Sequence, residues 1–348
     1  MEDVSPAAPA DYEEKLTDLV EMISGAQTIS LCGHVNPDGD CIGSILGLYI
    51  VLRALGKDVT PTLAQNKPAP RAYRVLEGAD KLVPASTHEN ADDLCISLDV
   101  STRDRMGEGT ALIARAQQSF ALDHHPGTDV GAAETLSDPT KAATSMMVWD
   151  LVTRLVENPG AACAQACYMA LMTDTGRFQF QNADGDAFRT AAQLVDAGAD
   201  PSRASNLVYQ SKTPGMLKLE RDIIDRLTLT EKGTVALSWF DVADMKRHGV
   251  TTDETESLPE ILRAIDGTQV IILLRGDGKR TRGNLRSKDT FDVSALAALF
   301  GGGGHRAASG MMVDAPVEKT LARFVALLPL IEKDLLEGHE APTFTVEE

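Results

Sequence analysis

The chain has 348 residues, enough for two domains of roughly 100–200 residues each, and its 43% hydrophobic and 24% charged residues are ordinary globular usage with few aromatics. Acidic residues outnumber basic ones by 51 to 33, and the net charge of −18 argues against a general binder of long nucleic acid unless basic residues gather locally. Five cysteines without a CxxC pair argue against a disulfide framework and point to reduced thiols and a cytoplasmic setting.

Residues 1–12 are acidic and rich in Ala and Pro, and are expected to form a loose tail rather than a signal peptide or an anchor. From Thr28 to Asp138, short apolar runs alternate with helical stretches: Ile29–Cys32, Cys41–Leu55, Val59–Leu63, Cys95–Val100 and Ser119–Leu122. This rhythm predicts an α/β fold with a parallel sheet and crossover helices. The apolar run Cys41–Leu52 is too short to span a bilayer and is predicted as a buried helix. Residues 142–227 read as mostly helical, with breaks at Asn158-Pro159-Gly160, Asp184-Gly185, Gly198 to Pro201 and Pro214-Gly215. A second, smaller α/β unit follows, with strands predicted at Thr234–Trp239, Gln269–Leu274 and Thr281–Leu285. A helix at Val293–Phe300, a glycine run and a last helix near Leu321–Leu335 complete it.

Three predicted strands end abruptly in polar residues, at His34, Asp99 and Asp123, and open α/β sheets bind ligands at the carboxyl ends of their strands. After the first strand, His34, Asp38 and Asp40 emerge within seven residues, and Pro37 and Gly39 force the turn. A turn that only caps the next helix needs one Asp and no histidine. Asp123-His124-His125 sets consecutive ionisable groups after an apolar strand, and Asp174 closes an apolar helical run. Asp38, Asp40, Asp99, Asp123 and Asp174 in one crevice could not all ionise without cations. Mixed imidazole and carboxylate donors suit Mn²⁺ or a similar divalent ion, with Mg²⁺ the alternative, and the number of candidates suggests two ions.

These four motifs, in this order, resemble the DHH phosphoesterase family, named for the triplet seen here as Asp123-His124-His125. Asn284-Leu285-Arg286-Ser287 and Gly301 to Gly304 with His305 resemble the DHH-associated substrate-binding domain, and the likeness spans about Leu16 to Leu335. It implies a parallel-sheet DHH domain over 13–195, a helical linker over 196–220 and a smaller α/β substrate-binding domain over 221–340. It further implies one ion on His34, Asp38 and Asp99 and a second on Asp40, Asp99, His124 and Asp174, with Asp99 bridging. Asp123 would orient a histidine from behind the ligands, and His125 would act on the scissile phosphate in an in-line hydrolysis. Substrate would be held by Arg286, Ser287, Gly302, Gly303, Gly304 and His305, beside a basic cluster of Lys279, Arg280, Arg282, Lys288 and Arg306. Cys41 and Ser309 stand where other small residues are expected and are placed outside the ligands.

Within the family, the short architecture resembles the stand-alone bacterial nano-RNases. These degrade very short RNA and remove the 3′-phosphate of 3′-phosphoadenosine 5′-phosphate. The acidic balance agrees with a short substrate, and no long nucleic acid or membrane is expected as a partner. A cyclic or linear dinucleotide phosphodiesterase (cyclic di-AMP, pApA) would share every catalytic residue, and a non-catalytic nucleotide-binding regulator is the remote alternative. Whether the chain forms a homodimer is not legible in its sequence.

Overall fold

The computed structural model describes residues 8–255 and 257–345, so most of the expected tail over 1–12 lies outside the described residues. The chain divides into two compact units, Met1–Ser211 and Lys212–Glu348.

In chain order the first unit comprises α1 (Tyr12–Gly25), β1 (Thr28–Cys32), α2 (Gly39–Ala54), β2 (Asp58–Leu63), β3 (Val83–Pro84) and β4 (Leu94–Leu98). It continues with α3 (Arg103–Met106), α4 (Thr110–Arg115), β5 (Gln118–Asp123), β6 (Glu134–Ser137), α5 (Thr144–Leu155), α6 (Gly160–Asp174), α7 (Gly185–Asp196) and α8 (Pro201–Tyr209). All six strands are parallel, in the order β3-β2-β1-β4-β5-β6. The near-continuous apolar character of β1, β4 and β5 is what a sheet covered on both faces requires. The order reverses between β1 and β4, and a crevice opens at such a reversal beyond the carboxyl ends of the strands. His34 follows β1 and Asp99 follows β4, so the reversal brings them together.

Helix α2 is buried along most of its length because it packs closely on α6. Gly39, Gly43 and Gly47 recur every fourth residue along one stripe, and ideal Cβ atoms there would strike Thr173, Ala166 and Cys167 of α6. The stripe therefore sets the distance between the start of α2, which carries Asp40, and the end of α6, which carries Asp174. At Gly43 a Cβ would sit 2.5 Å from the Ala166 carbonyl oxygen, a backbone atom that cannot rotate away. Gly43→Leu is expected to destabilise the protein by about 3 kcal/mol, at the upper end of ordinary overpacking. Urea unfolding followed by circular dichroism checks this, and an unchanged midpoint would contradict the close helix contact.

The second unit contains α9 (Pro214–Asp225), β7 (Thr228–Leu229), β8 (Val235–Asp241), α10 (Val242–His248), α11 (Pro259–Arg263), β9 (Val270–Gly276) and β10 (Thr281–Ser287). After these come α12 (Val293–Ala298), β11 (Gly303–His305), β12 (Ala308–Val313) and α13 (Val317–Leu336). Its mixed sheet runs β11-β12-β10-β9-β8-β7, with only β8 and β9 parallel. The stretch expected as a linker holds α8, the last helix of the first unit, and most of α9, the first of the second. The glycine run is not a free loop. Gly303 to His305 pair with Ala308 to Gly310 as a hairpin, which the Gly-rich composition hid. No helix among the described residues is long and apolar enough to cross a membrane.

Candidate metal centre

Beyond the carboxyl ends of β1, β4 and β5, the first unit gathers His34, Asp38, Asp40, Asp99, His124, His125 and Asp174. His34 Nε2 lies 3.4 Å from Asp99 Oδ2 and 3.6 Å from Asp38 Oδ2. His124 Nε2 lies 3.6 Å from Asp99 Oδ1 and 3.7 Å from Asp174 Oδ2. Ligand atoms of Asp40, His124 and Asp174 all fall within 4.8 Å of one another. Asp99 thus faces two donor sets, one through each oxygen.

The backbone places these groups at some strain. Asp99 has φ +57°, a left-handed conformation that Asp tolerates better than most residues. Arg177 and Phe178, just after α6, are also left-handed, at +64° and +61°. Asp40 is held by the start of α5: Thr144 N donates to Oδ2 at 2.6 Å, and Ser145 N donates to Oδ1 at 3.0 Å. Thr144 Oγ1 also donates to Asp99 Oδ1 at 3.3 Å. Thr144 and Ser145 did not stand out in the amino-acid sequence. The signal available was two hydroxyl residues opening a helix, where backbone N–H groups are free to bind an anion.

Both histidines are fixed in orientation. His34 Nδ1 donates to the Val35 carbonyl at 2.9 Å, and His124 Nδ1 donates to the Lys141 carbonyl at 3.2 Å. A carbonyl can only accept, so each ring carries a proton on Nδ1 and turns Nε2 toward the carboxylates. His34 Nε2 is buried without a hydrogen-bond partner. Asp99 is pushed well above the usual carboxylate range by burial and then by the charge of Asp40, and Asp174 likewise by burial and the charges of Asp40 and Asp38. Asp40 is raised too, first by burial. Imidazole nitrogens turned to a buried cluster of carboxyls, and carboxyls whose ionisation burial and mutual charge oppose, are what a cation between them relieves. The residues present therefore fit a pair of divalent ions.

Asp123 stands behind the cluster. Its Oδ1 accepts from His125 Nδ1 at 2.8 Å and from His125 N at 3.2 Å, while Oδ2 accepts from Thr128 Oγ1 at 2.6 Å. Burial pushes the Asp123 carboxyl up, but the hydrogen bond and charge of His125 together with the Thr128 hydrogen bond outweigh it, and the group is held below its ordinary range. Cys41 lies nearer to the cluster than expected: its sulfur is within 4.8 Å of the ligand atoms of His34 and Asp99.

In the second unit the sequence-expected residues separate. Arg286 and His305 both pair with Ala308, from the two neighbouring strands, so the three side chains share one face of the sheet. Ser287 faces the other way. It is buried, and its hydroxyl donates to the Asp289 carbonyl at 3.1 Å, so it is not grouped with Arg286. The Gly302 N–H closes α12 by donating to the Ala297 carbonyl at 2.9 Å. Gly303, Gly304 and His305 are exposed. The basic cluster is drawn apart as well. Arg280 bonds Asp277, Lys288 donates to the Ile265 carbonyl, and Arg306 donates to the Thr290 carbonyl. Arg282 lies four residues from Arg286 on the same face of β10.

Residues 28–173 match the description "DHH family, N-terminal domain", and residues 233–330 match the DHHA1 domain. The chain carries a DHH-family domain and a DHHA1 domain. As such it is a hydrolase of phosphoester bonds. It is 27% identical over 307 residues to the bifunctional oligoribonuclease and PAP phosphatase NrnA of Thermus thermophilus, covering 86% of this chain and 88% of that protein. The protein of the same name from Bacillus subtilis is 29% identical over 301 residues, covering 85% of this chain and 93% of that one. The fold matches an exopolyphosphatase-related protein from Bacteroides fragilis with a TM-score of 0.86 at 24% identity, covering 93% of this chain and 98% of that chain.

Proposed function

We propose that this DHH protein hydrolyses short RNA oligonucleotides to mononucleotides and 3′-phosphoadenosine 5′-phosphate to AMP and phosphate, using two divalent ions, most suitably Mn²⁺. The observation that carries it is Asp99 facing two His/Asp donor sets at once, His34 with Asp38 on one side and Asp40, His124 and Asp174 on the other. The names of the Thermus and Bacillus relatives supply the substrates. Those residues would hold the ions, which supply Lewis-acid activation of water and neutralise charge on the phosphoryl group.

The chain's own side chains do the rest. Asp123 fixes the His125 ring through Nδ1, leaving Nε2 as the atom that gives a proton to the leaving oxygen. Arg286, with Gly303, Gly304 and His305, binds phosphate on the open face of the second unit. Arg can fork onto two phosphate oxygens, and glycine lets backbone N–H groups approach closely. All five cysteines are free and buried, which supports a reducing cytoplasmic setting.

The test is kcat/KM for di-, tri- and pentanucleotide RNA, long RNA, 3′-phosphoadenosine 5′-phosphate, cyclic di-AMP and pyrophosphate, with Mn²⁺ present. Efficiency should be greatest on the shortest RNAs and fall with length, because the basic groups are few and the net charge is −18. Efficiency rising steadily with length, or activity confined to cyclic di-AMP or pyrophosphate, would overturn the substrate assignment.

A further inference from the structure

Cys41, in the first turn of α2, has a sulfur that none of the roles above uses. It is fully buried against Gly33 and lies within 4.8 Å of the ligand atoms of both His34 and Asp99. A separate feature points to the same spot. His34 Nε2, on a side chain only 2% exposed, has no hydrogen-bond partner, and the Nδ1 bond to the Val35 carbonyl holds the ring with this nitrogen turned into the cluster. The other four cysteines belong to no such cluster among the described residues.

We propose that Cys41 adds a sulfur donor to the ion position formed by His34 and Asp99, so that this position takes a thiophilic divalent cation of the Zn²⁺ and Cd²⁺ class through sulfur. This rests on the two-ion reading given above. Imidazole, carboxylate and thiolate together make a softer set than oxygen and nitrogen alone, so a Zn²⁺ or Cd²⁺ ion gains a donor here that Mn²⁺ does not use. Bonds of about 2.3 Å to sulfur and about 2.0 Å to nitrogen bring two donors onto one ion from this separation with a small side-chain shift. As the sulfur–metal bond forms the S–H bond breaks and the proton leaves to solvent, with no change of oxidation state. Mn²⁺ binds the carboxylates and imidazole and leaves the thiol intact.

The experiment titrates metal-free full-length protein with Cd²⁺ and separately with Mn²⁺, reading heat of binding and the ultraviolet thiolate-to-cadmium charge-transfer absorption. Wild type should develop one thiolate's absorption per chain with Cd²⁺. Cys41→Ser and Cys41→Ala should lack it and bind the ion about tenfold or more weakly, with Mn²⁺ affinity little changed. Cd²⁺ binding to wild type without the absorption, or absorption that persists in both variants, would overturn the sulfur donor while leaving the two-ion reading standing. Failure of wild type to bind two ions of Mn²⁺ would overturn that reading and the sulfur donor with it. The wild-type spectrum needs no variant to fold.

Discussion

Asp99→Asn is expected to reduce hydrolysis by on the order of a thousandfold, the scale on which removing a group that stabilises developing charge acts. Asp99 faces His34 through one oxygen and His124 through the other, so a single substitution removes a donor from both sets. Asn keeps the shape and tolerates the left-handed backbone at φ +57°, which makes it a cleaner change than Asp99→Ala. Burial and the charge of Asp40 already oppose ionisation of Asp99, so the ion-free variant should be at least as stable as ion-free wild type. Wild type should gain about 2.7 kcal/mol from Mn²⁺ at a hundred times its Kd, and the variant much less. Turnover by Asp99→Asn near the wild-type rate would contradict a shared ligand.

His125→Ala is expected to lose roughly a hundredfold to ten-thousandfold in kcat, the range for a positioned proton donor, and to keep its ions. His124 directs its Nε2 at Asp99 and Asp174, whereas His125 uses Nδ1 on Asp123, so adjacent histidines do different work. His125 Nδ1 also lies 3.6 Å from Asp99 Oδ1 and therefore stands beside the ion site. Loss of one bound ion in His125→Ala would make it a ligand and overturn the division of roles. A kcat loss with KM and ion content retained would support it.

Much of this centre was legible in sequence because its donors follow apolar strands, where a change from buried to polar is abrupt. His34, Asp99 and His124 fall within two residues of the ends of β1, β4 and β5. What was not legible depends on approach between distant segments. The stripe of Gly39, Gly43 and Gly47 has meaning only against α6, and the grip of Thr144 and Ser145 on Asp40 joins groups more than a hundred residues apart. Cys41 was placed outside the ligands because a sequence does not show which way a side chain in a first helical turn is directed. In the second unit, alternation along β10 decides that Arg286 and Ser287 face opposite sides, a consequence available in advance had the strand been carried through Ser287. The strands β3 and β6 escaped notice because one is only two residues long and the other is an edge strand carrying Glu134, Thr135 and Ser137.

The ion content of the full chain tests the two-ion centre most directly. Equilibrium dialysis against Mn²⁺ with elemental analysis should find two ions per chain in wild type and in His125→Ala, and fewer than two in Asp99→Asn. Wild type saturating at a single ion, or Asp99→Asn holding two with unchanged affinity, would contradict a centre in which Asp99 joins two donor sets.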